Sequence, residues 1–223
     1  MARAPRPGRA KTRLLSHLSP QGCAGLATAF LRDALDVLIE VQTAAHYLAF
    51  TPTEEEALLA QIAHPTVALL PQVGADLGER LHNVFVALSE LGHGPALIFG
   101  SDIPTLQRHT LEDALVKLHT ADVCLGPSAD GGYYLIGLRT PCPSLFEGIP
   151  WGTEEVFQMT VDRVREAGLS LATVECYRDI DTIDDMIWLQ GQVTQQDAAG
   201  NGLRTHTRAF LEDLAQKRGP LRI

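Results

Sequence analysis

Short unbroken apolar runs and apolar stripes spaced by four residues take turns along this chain, and that alternation predicts strands and helices in sequence. Ser19 followed by Pro20 starts a helix, with Ser as cap and Pro at the first helical position. Leu26, Phe30, Ala34 and Leu38 then share one face, which carries that helix to about Val41. Ala45–Phe50 reads as a strand. Thr53 with Glu56 forms a capping box opening a short helix to about Ile62. Thr66–Leu70, closed by Pro71, is a second strand, and the loop Gln72–Asp76 leads into a helix through Leu77, Leu81, Val84 and Leu88. Ala96–Phe99 is apolar without alternation, the mark of a strand buried on both faces. A helix capped by Thr110 with Asp113 follows, carried by Leu111, Leu115 and Leu118.

Asp122–Leu125 and Tyr133–Leu138 read as strands on either side of a tight turn at Asp130-Gly131-Gly132. Thr153 opens a helix that Gly168 stops. Ser170–Val174 is a last strand, and Thr182 with Asp185 caps another helix to about Gln190. Gln195–Gly202 is a polar linker before an amphipathic helix over Arg204–Lys217. The fold class expected is α/β, a mostly parallel sheet with helices on both faces. Residues 1–190 form the main domain, and 191–223 form a linker and a helix that packs on it. The basic stretch Arg3–Arg13 looks like a loop hanging from a sheet strand, yet no strand is expected before it.

Composition narrows the function classes. The 223 residues carry a net charge of −9, which disfavours a general nucleic-acid binder, since phosphate backbones reward basic surfaces. No apolar run reaches membrane-span length and no signal-peptide core is present. Cys23, Cys124, Cys142 and Cys176 lack paired spacing and read as thiols of a reducing compartment, so the cytoplasm is expected.

Charge is unevenly placed. Arg3, Arg6, Arg9, Lys11 and Arg13 crowd the start, and the first acid is Asp33. Lys11 and Arg13 in a glycine-flanked loop suit a di- or triphosphate, where charge-assisted bonds are strong; a solvated basic end is the other reading. The stretch is not a P-loop, because Ala10 and Pro5 stand where a Walker A motif needs glycine.

A single acid and an acidic cluster carry candidate chemistry. Asp102 follows the buried strand Ala96–Phe99 directly, through Gly100 and Ser101, where ligands bind in open α/β sheets. It reads either as a metal carboxylate or as a cap on the next helix. In Asp179-Ile-Asp181-Thr182-Ile-Asp184-Asp185, the last two acids fit helix caps, while Asp179 or Asp181 suits a shared Mg²⁺ or Mn²⁺ with Asp102. Between them lies Gly126-Pro-Ser-Ala-Asp130-Gly-Gly-Tyr-Tyr134. It is either an Asp-Gly hairpin turn or a place where a ligand meets the backbone.

ARAPRPGRAKTRL, GADLGERL, FGSDIPTL, GPSADGGYYLIGL, IPWGTEEV and DIDTIDD, taken in order and spacing, resemble the bacterial DUF2064 group, also called rSAM/selenodomain-associated transferase 1. The resemblance runs from about Ala2 to Gln190. It implies a GT-A, nucleotide-diphospho-sugar transferase-like fold related to guanylyltransferases. It also implies metal ligation by Asp102 and Asp181, with Asp130, Lys11 and Arg13 in catalytic roles. Donor binding would involve Gly8, Lys11, Thr12, Arg13, Ser101, Gly131 and Gly132. Family members begin with an apolar strand ahead of the basic loop, and here Met1 stands in its place.

The expectation is a transferase dependent on Mg²⁺ or Mn²⁺. It takes a nucleotide or nucleotide-sugar donor and a small-molecule acceptor, with Asp130 as base toward an acceptor hydroxyl. Glycosyl transfer from a nucleoside diphosphate sugar is the first reading. Nucleotidyl transfer from a triphosphate, guanylyltransferase-like, is the alternative. A nucleotide-binding protein without turnover is the third.

Overall fold

The computed structural model describes residues 1–193 and 203–218, so the linker expected at 195–202 lies outside the described residues. Seven strands and seven α-helices alternate over these residues: β1 (Ala2–Arg3), α1 (Pro20–Glu40), β2 (Tyr47–Thr51), α2 (Glu56–Ile62), β3 (Ala68–Pro71), α3 (Leu77–Glu90), β4 (Ala96–Phe99), α4 (Arg108–Lys117), β5 (Val123–Pro127), β6 (Tyr133–Leu138), α5 (Val156–Glu166), β7 (Leu171–Thr173), α6 (Ile183–Val193) and α7 (Thr205–Arg218). The α/β class stands.

Local chemistry explains most boundaries. Ser19 Oγ accepts from Gly22 N and Asp76 accepts from Glu79 N, so α1 and α3 begin on side-chain caps. Asp185 and Thr182 bond reciprocally at the start of α6. Thr53 and Thr110 do not cap. Thr53 opens a 3-10 turn ahead of α2, and Thr110 lies inside α4 with its hydroxyl on Glu175, 2.5 Å away. A distant partner displaces the local one in that case.

The strand pairings are mostly parallel, as expected, with two features that the pattern does not show. The strands are divided into a parallel sheet of order β1-β2-β3 and a four-stranded sheet of order β4-β6-β5-β7. Within the second, β6 runs antiparallel to β4 and β5, while β5 and β7 are parallel. Only five residues separate β5 from β6, too few for the crossover that a parallel pair requires. The basic loop is also not without a strand, since Ala2 and Arg3 pair with Phe50 and Thr51.

The Met1 ammonium donates to Phe99 O at 2.6 Å, tying β1 to β4 across the division. Beyond that tie, an apolar slot of about 450 Å³ runs between Tyr47–Ala49 of β2 and Ala96–Ile98 of β4. Leu31 and Leu35 of α1 line one wall, and Val84 and Leu88 of α3 line another.

One core joins the sheets through Ala49, Leu81, Val84, Phe85, Ile98, Val123 and Ile136. A second gathers Leu14, Leu26, Phe30, Ile180, Met186, Leu211 and Leu214, so that α1, α6 and α7 share one apolar interior. Asp33, buried in α1, accepts from the backbone N–H groups of His206 and Thr207 and caps α7. Among the described residues no helix is long and apolar enough to cross a membrane.

Candidate active site

Three loops meet at the carboxyl ends of β1, β4 and β7. The chain leaves β1 at Ala4, whose N–H still bonds to Thr51 O, then turns through Arg6–Ala10 with Gly8 at φ +74°. Lys11 follows in the left-handed region, φ 47° and ψ 48°, before the 3-10 turn Thr12–Leu14. Such a conformation is uncommon for a residue with a side chain and marks a constrained position. Fully buried Leu14 anchors this turn in the second core. The amine of Lys11 is thereby fixed from both sides of the chain.

That amine lies between two carboxylates. Lys11 Nζ is 2.7 Å from Asp102 Oδ1 and 3.0 Å from Asp181 Oδ1, and it donates to Ile180 O at 2.7 Å. Asp102 and Asp181 are brought together by the backbone as well, through Ile180 N on Asp102 O. The Lys11 side chain is only 5% exposed, against 49% for Asp102 and 39% for Asp181. The ring of Phe30 closes the site behind the amine at 5.3 Å. Burial works against the charge on Lys11, and Asp102 and then Asp181 outweigh it, holding the amine above its ordinary value.

The other cations of the loop sort differently. Arg13 is 68% exposed, with Nη1 3.4 Å from Asp181 Oδ2. Arg6 makes a two-pronged bond to Glu55, which takes it out of the set available to a ligand. Thr12 opens the 3-10 turn next to Lys11, and Ser101 lies in the loop next to Asp102.

Asp130 sits in the turn between β5 and β6. Its Oδ1 accepts from Gly132 N and from the Ser128 hydroxyl, so this oxygen holds the turn. Gly131 has φ +90°, and a Cβ there would stand 2.3 Å from Glu154 O. Its bareness thus serves the packing of the segment that leads into α5, with Phe157 N bonded to Gly131 O. Asp179 is a residue that spacing left open beside Asp181. Burial, then the charges of Asp130 and Asp181, push its carboxyl up to about 6. Asp185 instead bonds Arg178 and the start of α6.

The oxygens of Asp102 and Asp181 already share one cation, the Lys11 ammonium, and two hard carboxylates at a strand end suit Mg²⁺ or Mn²⁺. This observation supports the fit of a divalent ion. A separate group, Asp33, Asp36 and His206, brings three ligand atoms within 4.8 Å of one another. Its central carboxylate is the cap of α7, which accounts for the grouping. Sequence reasoning missed the Ile180 carbonyl and the Phe30 ring. A backbone acceptor leaves no sequence signal, and Phe30 is indistinguishable from its neighbours on the apolar face of α1.

Residues 34–153 match the family described as an uncharacterized protein conserved in bacteria, DUF2064. This chain belongs to the DUF2064 family. It is 30% identical over 188 residues to the 3-phospho-D-glycerate guanylyltransferase of Phenylobacterium zucineum (strain HLK1), covering 80% of this chain and 83% of that protein. Its fold matches a crystal structure from Desulfovibrio desulfuricans G20 that bears the provisional name nucleotide-diphospho-sugar transferase. That match has a TM-score of 0.87 and 31% identity, over 99% of this chain and 96% of the other. A cytidylyltransferase from Leptospira borgpetersenii serovar Hardjo-bovis (strain JB197) shares the fold at a TM-score of 0.50 and 15% identity, over 84% of this chain and 83% of that one. The DUF2064 chain therefore has the nucleotide-diphospho-sugar transferase fold, and the relatives named are transferases.

Proposed function

We propose that this protein is a metal-dependent nucleotidyltransferase that moves a nucleoside monophosphate from a nucleoside triphosphate to a phosphorylated small-molecule acceptor. The observation that carries the proposal is the meeting of Lys11, Asp102 and Asp181 at the strand ends, with exposed Arg13 beside them. The relative named for guanylyl transfer to 3-phospho-D-glycerate moves the preference from sugar transfer to nucleotidyl transfer.

In this reaction an acceptor oxygen attacks the α-phosphorus, the bond to the β-phosphate breaks and diphosphate leaves. Asp102 and Asp181 would hold Mg²⁺ or Mn²⁺, which supplies Lewis-acid neutralisation of the phosphate charge when bound. Arg13 is exposed and free to turn toward the polyphosphate, adding charge stabilisation where negative charge builds. Lys11 keeps the two carboxylates together. Gly8, Thr12 and Ser101 border the same space on the donor side. Asp130 holds the Gly131-Gly132 turn opposite Asp179. A phosphate acceptor is already deprotonated near neutral pH, so it needs no base, and Asp130 serves as one only for a hydroxyl acceptor.

The test is a thermal-shift panel of GTP, ATP, CTP, UTP and nucleotide sugars with and without Mn²⁺. It is followed by product mass after incubation of the best triphosphate with 3-phospho-D-glycerate. The expected result is Mn²⁺-dependent stabilisation by one triphosphate, lost in Asp102→Ala, and a product heavier by one nucleoside monophosphate. Stabilisation by nucleotide sugars alone would overturn the reading in favour of sugar transfer, which the name of the Desulfovibrio structure supports.

A further inference from the structure

Lys11 has an unusual position for a phosphate-binding lysine. An ammonium has three protons to donate, and here the three acceptors are Asp102, Asp181 and Ile180 O. Its side chain is almost fully covered, while both carboxylates stay open to solvent. Arg13, the cation next to it in the chain, is the exposed one. Two acids and two cations leave the cluster without net charge. A divalent ion arriving alone meets no excess of negative charge and finds an ammonium in contact with both of its ligands. An ion arriving on a polyphosphate brings several negative charges with it, and these offset the repulsion.

We infer that Lys11 is a built-in counter-ion that closes the Asp102–Asp181 pair to a free divalent ion and admits the ion in company with a polyphosphate. The inference rests on the metal-dependent reading proposed above and adds an order to it. Without Lys11 the pair has two negative charges facing each other and one cation at its edge, so it becomes an ordinary acidic metal site. Lys11 acts through the carboxylates and is in this sense a positioning residue.

The experiment measures Mn²⁺ binding to the full chain without nucleotide, following the spectroscopic signal of the free ion, for wild type, Lys11→Met and Lys11→Arg. Lys11→Met is expected to bind Mn²⁺ at least tenfold more tightly than wild type. Lys11→Arg keeps the charge and is expected to stay within threefold of it. In melting experiments, Mn²⁺ alone should stabilise Lys11→Met, whereas wild type should respond to Mn²⁺ with GTP and hardly to Mn²⁺ alone. If Lys11→Met does not fold, Lys11→Gln takes its place. Equal or weaker Mn²⁺ binding by the folded neutral variant overturns the inference and leaves the metal reading standing if Mn²⁺ with GTP still stabilises wild type. Tight Mn²⁺ binding by wild type alone does the same. Absence of any Mn²⁺ effect, on the neutral variant or on wild type with GTP, brings down the metal reading itself and this inference with it.

Discussion

Met1 and Phe99 are joined by a 2.6 Å hydrogen bond from the ammonium to the carbonyl, and this bond stands where the two sheets would otherwise part. The slot beyond it has strand edges along two sides and apolar helix faces above and below. An extended apolar segment entering it would be parallel to β2 and collinear with β1. Burying an aliphatic side chain yields about 1.5–3 kcal/mol, and each kcal/mol moves the melting temperature of a chain this size by about 2–4 °C. A variant carrying four or five apolar residues ahead of Met1 is therefore expected to melt several degrees higher. A Gly- and Asp-rich extension of equal length should bring no gain. Equal melting temperatures for the two extensions would show that the slot does not take a strand.

The same ammonium makes stability depend on pH. Burial lowers the pKa of the Met1 amine from 8.0 to about 6, with the charge of Asp102 acting in the opposite direction. The folded state thus binds fewer protons than the unfolded state between these values, and stability falls as pH drops from 8 toward 6. The loss amounts to about 2–3 kcal/mol for a shift of this size. Acetylating the amine should remove this contribution, so unfolding midpoints of the blocked and free proteins should differ by an amount that changes between pH 8 and pH 6, with the free protein losing more stability on acidification. Parallel curves would reject this origin.

Gly131 and Gly132 both suit a ligand by sequence, and their surroundings set them apart. A methyl group on Gly131 meets the Glu154 backbone at 2.3 Å in a left-handed conformation, whereas on Gly132 its nearest neighbour is Asp130 Oδ1 at 3.2 Å. Gly131→Ala is expected to cost at least about 2–3 kcal/mol. Gly132→Ala should cost about 1 kcal/mol or less, and chemical denaturation of both variants compares them. A Gly131→Ala protein as stable as wild type would remove the packing argument.

Much of this architecture was legible in single residues. Ala96–Phe99 and Tyr133–Leu138 occur as strands with the bounds that their apolar runs suggest, but only the second is buried along most of its length; Ala96, Leu97 and Phe99 are half-buried, because the slot opens beside their strand. Strand direction was not legible from these runs, since an unbroken apolar run looks the same either way round; the short β5–β6 connection held the signal. For the site, residue types pointed to Lys11, Asp102 and Asp181, and their meeting was visible only in space. The sequence leads one to expect Lys11 at a phosphate, and its position between Asp102 and Asp181 has no counterpart in the sequence pattern. Thr110 illustrates the opposite limit. Its spacing to Asp113 imitates a cap, and the partner that claims it, Glu175, lies far along the chain.

Glu175 gathers Thr110, Tyr177 and His109 around one oxygen. Burial works to raise its carboxyl, and the bonds from Thr110 and Tyr177 outweigh it, holding the group below the usual 4.5. Stability from this cluster is present above that value and is lost as pH falls through the lowered one. Thr110→Val removes a bond to a charged group, worth about 1–2 kcal/mol after allowance for solvent. The variant should melt lower than wild type at pH 7, and the gap should narrow below pH 4.5. A gap unchanged by acid would place the loss in packing around the buried Thr110.

Arg13 offers the cleanest separation of binding from stability. It is 68% exposed, and its ion pair with Asp181 is long at 3.4 Å. Removing it should alter stability by no more than about 0.5 kcal/mol. If Arg13 turns to the polyphosphate, as proposed, Arg13→Ala loses a charge-assisted bond worth about 1.5–3 kcal/mol, which is roughly 10–100-fold in affinity. The expected outcome is an unchanged melting temperature without ligand, together with at least tenfold weaker stabilisation by Mn²⁺ with GTP. Lys11→Ala should behave differently, because its amine is buried between two acids and its loss disturbs the protein before any ligand arrives. Nucleotide affinity that survives Arg13→Ala intact would move the phosphate site away from this loop.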